Sequence, residues 1–530
     1  MERYDVITIG SGIGGLTAAL TCARQGRSVL VLEAKKQFGG FCNPFARKKF
    51  WFDTGIHYVG EAGPGQPLHR HFERLGLLDE LQFRELDPNG FDRYVFPNYE
   101  VAMCKGIDAY CERLTRDFPH EARGLRRFFD LVTEVAQTLG ALTKISGPLD
   151  ALRLAPRFPT LIKYHRATFS RILDDFVRDP TLRAALAGPG GDIGLPPSQA
   201  SGLVMIGVLA HFLGGAYFPV GGTKGVRDAY VKLLEAHGAT LKRNSPVAKI
   251  LTRSGHVVGV RTVAGDEFEA PIVISNASAV TTLGTLLGSE KLSRRTRNKV
   301  ARSTYSLGSI CVFVGTDLQP QEAGLSDANV WHYPSIDIDA LYQPALDGRL
   351  GGDLPFFMTV PTLKDPGTHA PAGKHTVELI TFAPYAPFER WADQPTLKRD
   401  AAYKALKQQL GERLLERAER YLPGLRQHIE VLEVATPLTN RSYVDAPAGS
   451  IYGMDHTPAQ IGLGRFGASG PVDGLYLCGA DAMGAGIATC VASGQMAANA
   501  ALRPKGSFVA TVRRFLRPSM RKPAPLQPAG

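Results

Sequence analysis

Paired cysteines, a long uniform apolar run and, in two stretches, acidic residues are missing from this 530-residue chain. The seven cysteines (22, 42, 104, 111, 311, 478 and 490) are odd in number, widely scattered and form no CxxC pair. That excludes a disulfide framework or a cysteine zinc site and fits a reducing compartment. No metal ligand set is expected. No apolar run has the length and uniformity of a membrane-spanning helix. The nearest, "SGLVMIGVLAHFLGGAYFPVGG" (201–222), lies in a stretch from Ile193 to Thr223 without Asp, Glu, Lys or Arg. Its glycines, His211 and Pro219 favour a buried helix or cavity wall, with His211 as a satisfied interior histidine. The opening "MERYDVITIG" passes directly into a strand, so no signal peptide is expected and the protein reads as cytoplasmic. Low complexity is confined to the Pro-rich end "RPSMRKPAPLQPAG". With 44% hydrophobic and 21% charged residues the composition is that of a folded globular protein. The length exceeds one compact core and predicts two domains or a discontinuous pair.

Acid is absent where base is concentrated. From Arg503 to Gly530 there are seven Lys/Arg and no Asp or Glu. Between Asp150 and Asp174 lie Arg153, Arg157, Lys163, Arg166 and Arg171, again without acid. In the tail, Phe508, Val509, Val512, Phe515 and Leu516 fall at helical spacing beside Arg513, Arg514 and Arg517. Such a helix suits an anionic lipid surface, placing the protein as a peripheral component on the inner face of a membrane. A solvated basic tail is the alternative. The net charge of +11 would also suit nucleic acid, but no nucleic-acid motif accompanies it, and no nucleic-acid partner is expected.

Three separated segments share one α/β character. "YDVITIGSGIGGLTAALTCARQGRSVLVLEA" reads as strand, glycine turn, helix and strand. The segment from Gly221 to Ser278 alternates one helix with short apolar strands, and "VDGLYLCGADAMGAGIATCVASGQMAANAAL" is strand, glycine turn and helix. Between them, 121–140, 160–186 and 395–421 read as helical, and "SICVFVGTDL" and "KHTVELITFAPY" as strands. The fold class is therefore α/β with an α+β substrate domain. A discontinuous Rossmann-like nucleotide domain (1–75, 215–285 and 440–503) carries an inserted mixed sheet-and-helix domain (76–214 and 286–439) and a basic, Pro-rich tail (504–530).

"ITIGSGIGG" puts Gly10, Gly12 and Gly15 in GxGxxG register, with Gly14 in the same turn, directly after a strand and opening a helix. The first glycine makes the tight turn, the second admits a pyrophosphate to the backbone, and the third lets helix and strand pack closely. The phosphates then meet the helix N-terminus. Glu33 ends the next strand, 23 residues after Gly10, where an acid holds ribose hydroxyls. No second strand–GxGxxG–helix unit is present, which argues against a separate nicotinamide domain.

The continuation "EAKKQFGGFC" resembles the flavin amine oxidase and phytoene desaturase superfamily, in which a glycine pair follows the ribose acid. "GLYLCGADAMGAGIATCVASG" resembles its C-terminal flavin motif. "FDTGIHYVG", "FPVGGTKGV" and "PLTNRSYVDAPAGSIYGMDH" narrow the similarity to the branch of phytoene desaturases, carotenoid isomerases and retinol saturases, at low density up to about residue 500. The chain departs from the wider pattern in having Phe41 where an Arg or Lys is common, and in lacking the aromatic pair that flanks the flavin of amine oxidases. The resemblance implies FAD, contacted by Gly10, Gly12, Gly14, Gly15, Glu33, Ala34, Lys35, Gly39, Gly40, Phe41, Cys42, Gly55, Ile56, His57, Val247, Gly479, Asp481, Gly486, Ile487 and Ala488. Asp481 would meet the ribityl-phosphate part, and Gly55 would let a loop pass close to the flat ring. Asp53 reads as fixing that turn.

Members of this branch move hydride between the flavin and a carbon of an apolar isoprenoid polyene, so a retinoid or carotenoid substrate is implied. Saturation, desaturation and isomerisation all remain open, with a lean towards saturation, and the electron donor or acceptor is unspecified. An amine or amino-acid oxidase, or a prenyl-binding chaperone without FAD, are the alternatives on the same fold. A proton source for saturation would come from His57, Tyr58 or His456, with Tyr452 and Asp455 as further candidates. For His57 and His456 the competing role is structural, beside the flavin and in a hydrogen-bonded loop.

Overall fold

The computed structural model describes residues 2–142 and 159–503. The expected tail helix, and Arg153 and Arg157 of the internal basic run, lie outside the described residues. The chain is α/β and is organised on two principal sheets.

The first is a five-stranded parallel sheet in the order Thr240–Lys242, Val29–Leu32, Val6–Ile9, Ile272–Ser275, Leu475–Leu477. Val6–Ile9 and Val29–Leu32 are continuous apolar runs, VITI and VLVL, buried along their whole length. That is the signature of a parallel sheet covered on both faces. Helix Ile13–Ala23 follows the first of these strands, and helix Ile487–Leu502 follows Leu475–Leu477. The two helices touch through Gly494. A Cβ there would strike the carbonyl oxygen of Gly14 and come within 2.8 Å of Thr17 Cβ. A four-stranded sheet, Glu2–Arg3, Glu267–Glu269, His256–Thr262 and Val247–Arg253, accompanies this unit.

The second principal sheet has seven strands, in the order Ile429–Ala435, Gly308–Thr316, His375–Ala383, Phe356–Thr359, Asn329–His332, Asp92–Phe96, Tyr99–Met103. Its register produces two adjacent cross-strand rows on one face. Tyr94, Trp331, Phe357, Ile380 and Cys311 form an apolar row. Two residues along, Asp92 faces Asn329 and Glu378 pairs with both Thr359 and Phe313, giving a polar row. Because side chains alternate between faces, both rows look the same way. Val59–Gly60, Ala216–Pro219 and Phe83–Glu85 form a smaller antiparallel sheet.

The uncharged 201–222 stretch forms helix Gly202–Leu213 and then strand Ala216–Pro219. His211 in it accepts from Gly60 N–H through Nε2 at 2.9 Å, and its Nδ1 lies 3.1 Å from Glu61. The helical stretch 160–186 is broken into Pro159–Tyr164, Phe169–Leu173 and Pro180–Ala187. Thr168 and Asp179 each cap a new helix there, and Pro180 occupies a first-turn position, so local capping overrides the longer apolar period. Likewise Asp400 starts the 395–421 helix late, at Ala401.

Substituting Gly494→Ala forces a methyl into the backbone of the neighbouring helix. We expect a loss of about 1–3 kcal/mol, the usual cost of overpacking. Thermal melting of the two proteins side by side would measure it.

Candidate functional site

Two glycine turns, at Gly12–Gly14 and at Gly479, converge on one side chain, Asn276, which follows strand Ile272–Ser275 and was not singled out by its sequence context. A Cβ on Gly12 would overlap Asn276 Nδ2, and one on Gly14 or Gly479 would lie 2.6 Å from Asn276 Oδ1. Gly40 closes the group, its Cβ position falling 3.0 Å from Gly12 Cα, and Gly12 bridges to Gly39. Gly10, at φ +83°, makes a turn that other residues resist. Neither helix Ile13–Ala23 nor helix Ile487–Leu502 receives a side-chain cap at its N-terminus, and each begins at a glycine, Gly12 and Gly486. Uncapped N–H groups at the head of a helix form an anion site.

Glu33 is buried beside this cradle. Its carboxylate accepts from Ser11 N–H and hydroxyl and from Lys35 N–H. Ala34 lies between, and the Lys35 ammonium is engaged elsewhere, with Ser442 carbonyl and Asp445. Val247 starts its strand two residues after Ser245, whose N–H donates to the Glu33 carbonyl. Gly55 sits where a Cβ would fall 2.7 Å from the Phe41 carbonyl oxygen, so the 39–42 and 53–58 loops pass in direct contact. Cys42 and Ile56 are buried between them.

At the C-terminal motif, Asp481 accepts from Ala279 N–H, Met454 N–H and the Tyr305 hydroxyl. It ties three distant segments together. His456 Nε2 accepts from Ala485 N–H at 3.2 Å, just ahead of helix Ile487–Leu502, so Ile487 and Ala488 open a helix that His456 helps to orient. Burial drives the His456 imidazole down from its usual 6.5 to about 3, which keeps it neutral. His456 Nδ1 and the Nε and Nη1 of buried Arg465 have no protein partner. Buried polar atoms without partners call for a ligand or water. Tyr452 donates to the Gly191 carbonyl, and burial holds the Asp455 carboxyl above the usual range.

The 53–58 loop meets the polar row of the seven-stranded sheet. Asp53 accepts from Thr223 N–H and hydroxyl at the head of helix Gly222–Ala236, lies 3.0 Å from His369 Nε2, and donates its own N–H to Glu378. Burial would raise the Asp53 carboxyl, but the partnership with His369 and Thr223 outweighs it and holds it below the usual range. His57 Nδ1 stands 2.9 Å from Glu378 Oε2, off the line of a good hydrogen bond, and burial pushes Glu378 up. The Lys364 ammonium donates to the His57 carbonyl and to Asn329 Oδ1, and Asn329 Nδ2 donates to Asp92. Tyr58 donates towards Asp92 at 2.9 Å and lies 3.3 Å from Asp192. His57 and Tyr58 therefore share one network. Among the described residues no hydrogen bond joins His456 to it. Glu378, Lys364, Asn329, Asp92 and Asp192 were not singled out by sequence. Their signal was an acid or amide two positions before a large apolar residue in three strands, DRY, NVW and ELI.

A family model for flavin-containing amine oxidoreductases matches residues 13–502. The chain belongs to that family. All-trans-retinol 13,14-reductase of Danio rerio is 30% identical to it, over 92% of this chain and 84% of that one. The human protein of that name is 27% identical over 95% and 86%. Prolycopene isomerase 1 of an Oncidium hybrid cultivar is 29% identical over 94% and 84%. Among solved structures, a putrescine oxidase variant matches with TM-score 0.63 at 17% identity, covering 96% of this chain and 99% of that one. An oxidoreductase from Methanosarcina mazei matches with TM-score 0.61 at 18%, covering 94% and 100%. The expected superfamily and its retinol-saturase and carotenoid-isomerase branch are thus borne out, as is the fold. The protein is a flavin-dependent oxidoreductase. The glycine cradle, two uncapped helices and the unpartnered atoms of His456 and Arg465 fit such a cofactor.

A neutral, buried His456 binds no proton in the folded state between pH 6.5 and about 3, whereas the unfolded chain does. Its contribution to stability is complete above 6.5 and lost as pH falls towards 3. His456→Gln should accordingly flatten the fall in melting temperature across that window, which pH-resolved thermal melts would record.

Proposed function

We propose that the chain is an FAD-dependent oxidoreductase that moves hydride to or from a carbon–carbon bond of a long apolar isoprenoid polyene, a retinoid or carotenoid, in the manner of a retinol saturase. One observation carries the substrate class. Apolar side chains packed against the core cluster that contains Tyr58 stay partly uncovered: Leu203, Val204 and Val208 on helix Gly202–Leu213, and Leu307, Ile380 and Ile451. Ile380 belongs to the apolar row and is flanked in it by Phe357 and Cys311. Partly uncovered apolar side chains on the core that holds Tyr58 suit a polyene and offer little to an amine.

FAD, rather than a mononucleotide, is supported by Glu33, an acid at the place where a dinucleotide's ribose hydroxyls would lie. Gly10, Gly12, Gly14 and Gly15 would receive the pyrophosphate. Gly39 to Cys42, Gly55 to His57, and Gly479, Asp481 and Gly486 to Ala488 would surround the rest. The segments 1–75, 215–285 and 440–503 form the cofactor domain on this reading, and 76–214 with 286–439 the substrate domain. The bound flavin supplies hydride transfer at N5. The protein's part is to hold the reacting carbon at about 3–3.5 Å and keep water away. Tyr58 stacks on Phe212 with ring centroids 4.5 Å apart and on Phe357 at 6.2 Å, which stiffens the wall next to His57. Isomerisation or desaturation is the second reading, favoured by the prolycopene isomerase relative. Purified protein should be yellow. Anaerobic incubation of reduced and oxidised holoenzyme with all-trans-retinol, β-carotene and lycopene, followed by mass analysis, separates the reactions. Saturation adds two hydrogens to the polyene, desaturation removes two, and isomerisation changes retention alone. Colourless protein unable to take up FAD would overturn the reading in favour of a prenyl-binding chaperone.

So apolar a substrate resides in lipid, and the acid-free basic stretches supply a means of docking on an anionic membrane surface. No helix among the described residues is long and apolar enough to cross a membrane. The full chain should float with anionic liposomes and a version ending at Arg503 should do so much less. Equal flotation would remove the tail from this role.

A further inference from the structure

Resting on the polyene reading, we propose that Asp192 is the acid that exchanges a proton with the substrate carbon next to the one that exchanges hydride, with Tyr58, Asp92, Asn329 and Lys364 as its positioning residues.

The cluster holds two carboxylates and one ammonium, and the cofactor cradle uses none of them. Asp92 and Lys364 have no solvent exposure at all, and Asn329 has none either. They form a closed chain: Lys364 Nζ donates to Asn329 Oδ1, and Asn329 Nδ2 donates to Asp92 Oδ1 at 2.8 Å. Asp92 Oδ2 faces the Tyr58 hydroxyl, and Asp192 Oδ2 lies 3.3 Å from that same oxygen. One hydroxyl has one proton to give, and it points to Asp92 at the shorter distance. Asp192 is left without a cation and with a second carboxylate close by, the arrangement in which one of two acids keeps its proton. The electrostatics agree. Burial first, then the Asp92 charge, drives the Asp192 carboxyl well above the ordinary range. Burial raises Asp92 only to about 6 and lowers Lys364 to about 8. Of the two acids, Asp192 is thus the one pushed further towards its neutral form.

Position distinguishes the acid from its neighbours. Asp192 keeps part of its surface open, whereas Asp92 has none, so of the two acids only Asp192 can be reached by another molecule. The flanking glycines press against the apolar lining. A Cβ on Gly191 would overlap the Trp331 ring, and one on Gly194 would fall 3.1 Å from Tyr452. Tyr58 follows His57, and His57 lies two residues beyond Gly55, which touches the Phe41 turn of the cradle. Tyr58 itself is a poor acid, because burial and the two nearby carboxylates hold its hydroxyl well above its usual range.

In the saturating direction a reduced flavin held in the cradle would supply hydride to one carbon, and the electron pair of the double bond would move to its neighbour. That carbon takes the Asp192 proton: an O–H bond breaks, a C–H bond forms, and Asp192 becomes a carboxylate. The polyene is reduced by two electrons and the flavin oxidised by two. The new carboxylate gains the Tyr58 hydrogen bond, with the Lys364 ammonium behind Asp92 to offset the added charge. Desaturation runs the same steps backwards.

The test uses holoenzyme with whichever of all-trans-retinol, β-carotene or lycopene the wild type converts. Asp192→Asn should cut kcat by at least about 100-fold, the lower end of acid–base contributions, with flavin content, KM and melting temperature near wild type. Asp192→Glu should restore part of the rate. The infrared spectrum of the wild type at pH 7 should contain the carbonyl band of a protonated carboxyl, weakened in D192N. Unchanged kcat in D192N, or a rise in KM with kcat preserved, overturns the proposal and leaves the polyene reading standing. If D192N does not fold, a wild-type spectrum without any protonated carboxyl band overturns it just as directly. A wild type that converts none of the three polyenes defeats the underlying reading instead.

Discussion

The molecule depends on how closely three backbone turns can approach one another beside Asn276. Gly12 and Gly14 lie in one turn, Gly40 in a second, and Gly479, hundreds of positions later, in a third, and a methyl on any of them would intrude on a neighbour. Both helices that leave these turns begin uncapped, and the N–H groups at their heads remain for a ligand. Because those helices are parallel neighbours, Gly494 must also be small. The remainder of the cofactor side follows from this contact, including the burial of Glu33 and the seating of the 39–42 loop.

On the substrate side a different constraint rules. The face of the seven-stranded sheet that looks inward places charge next to aromatic surface. Each ion withdrawn from water costs several kcal/mol before any partner is counted. The arrangement keeps that cost in check by matching groups: Asp53 with His369 and Thr223, Lys364 with Asn329 and the Asp92 charge, Glu378 with His57. Apolar residues would fill the same row more cheaply. Nothing about holding the sheet together requires two acids and an ammonium there, and it is on their concentration that the proposed proton donor rests.

What was legible in the sequence divides along the same line. The GxGxxG turn, Glu33, the Gly39–Gly40 pair and the final glycine turn announce themselves because each is local: a strand, a turn and a helix read in one window. Strands Val6–Ile9 and Val29–Leu32 were legible from their unbroken apolar runs. Asp92, Asp192, Asn329, Lys364 and Glu378 were not legible, because what makes them a cluster is register between strands far apart in sequence. Asp92 and Asn329, hydrogen-bonded neighbours, are 237 positions apart. An acid in "FDRYVF" reads as a solvent-facing position in an alternating strand until the partner strand is known. His57 and His456, both visible as candidates, were parted by the same long-range geometry, one into the buried network and the other to the head of a helix. The stretch expected to be helical over 160–186 is divided into three helices for a local reason, since Thr168 and Asp179 compete for the backbone as caps.

The topology also fixes an order of assembly. The central strand Val6–Ile9 needs Ile272–Ser275 on one side, and that strand in turn needs Leu475–Leu477. Helix Ile13–Ala23 finds its close neighbour only when Gly494 has been made. On the ribosome the glycine turn after Val6–Ile9 is therefore made more than four hundred residues before helix Ile487–Leu502. Over that interval its apolar strands lack their lasting partners, and the cradle closes only when that helix has been made, the kind of long-range pairing that folds slowly and leaves strand edges exposed.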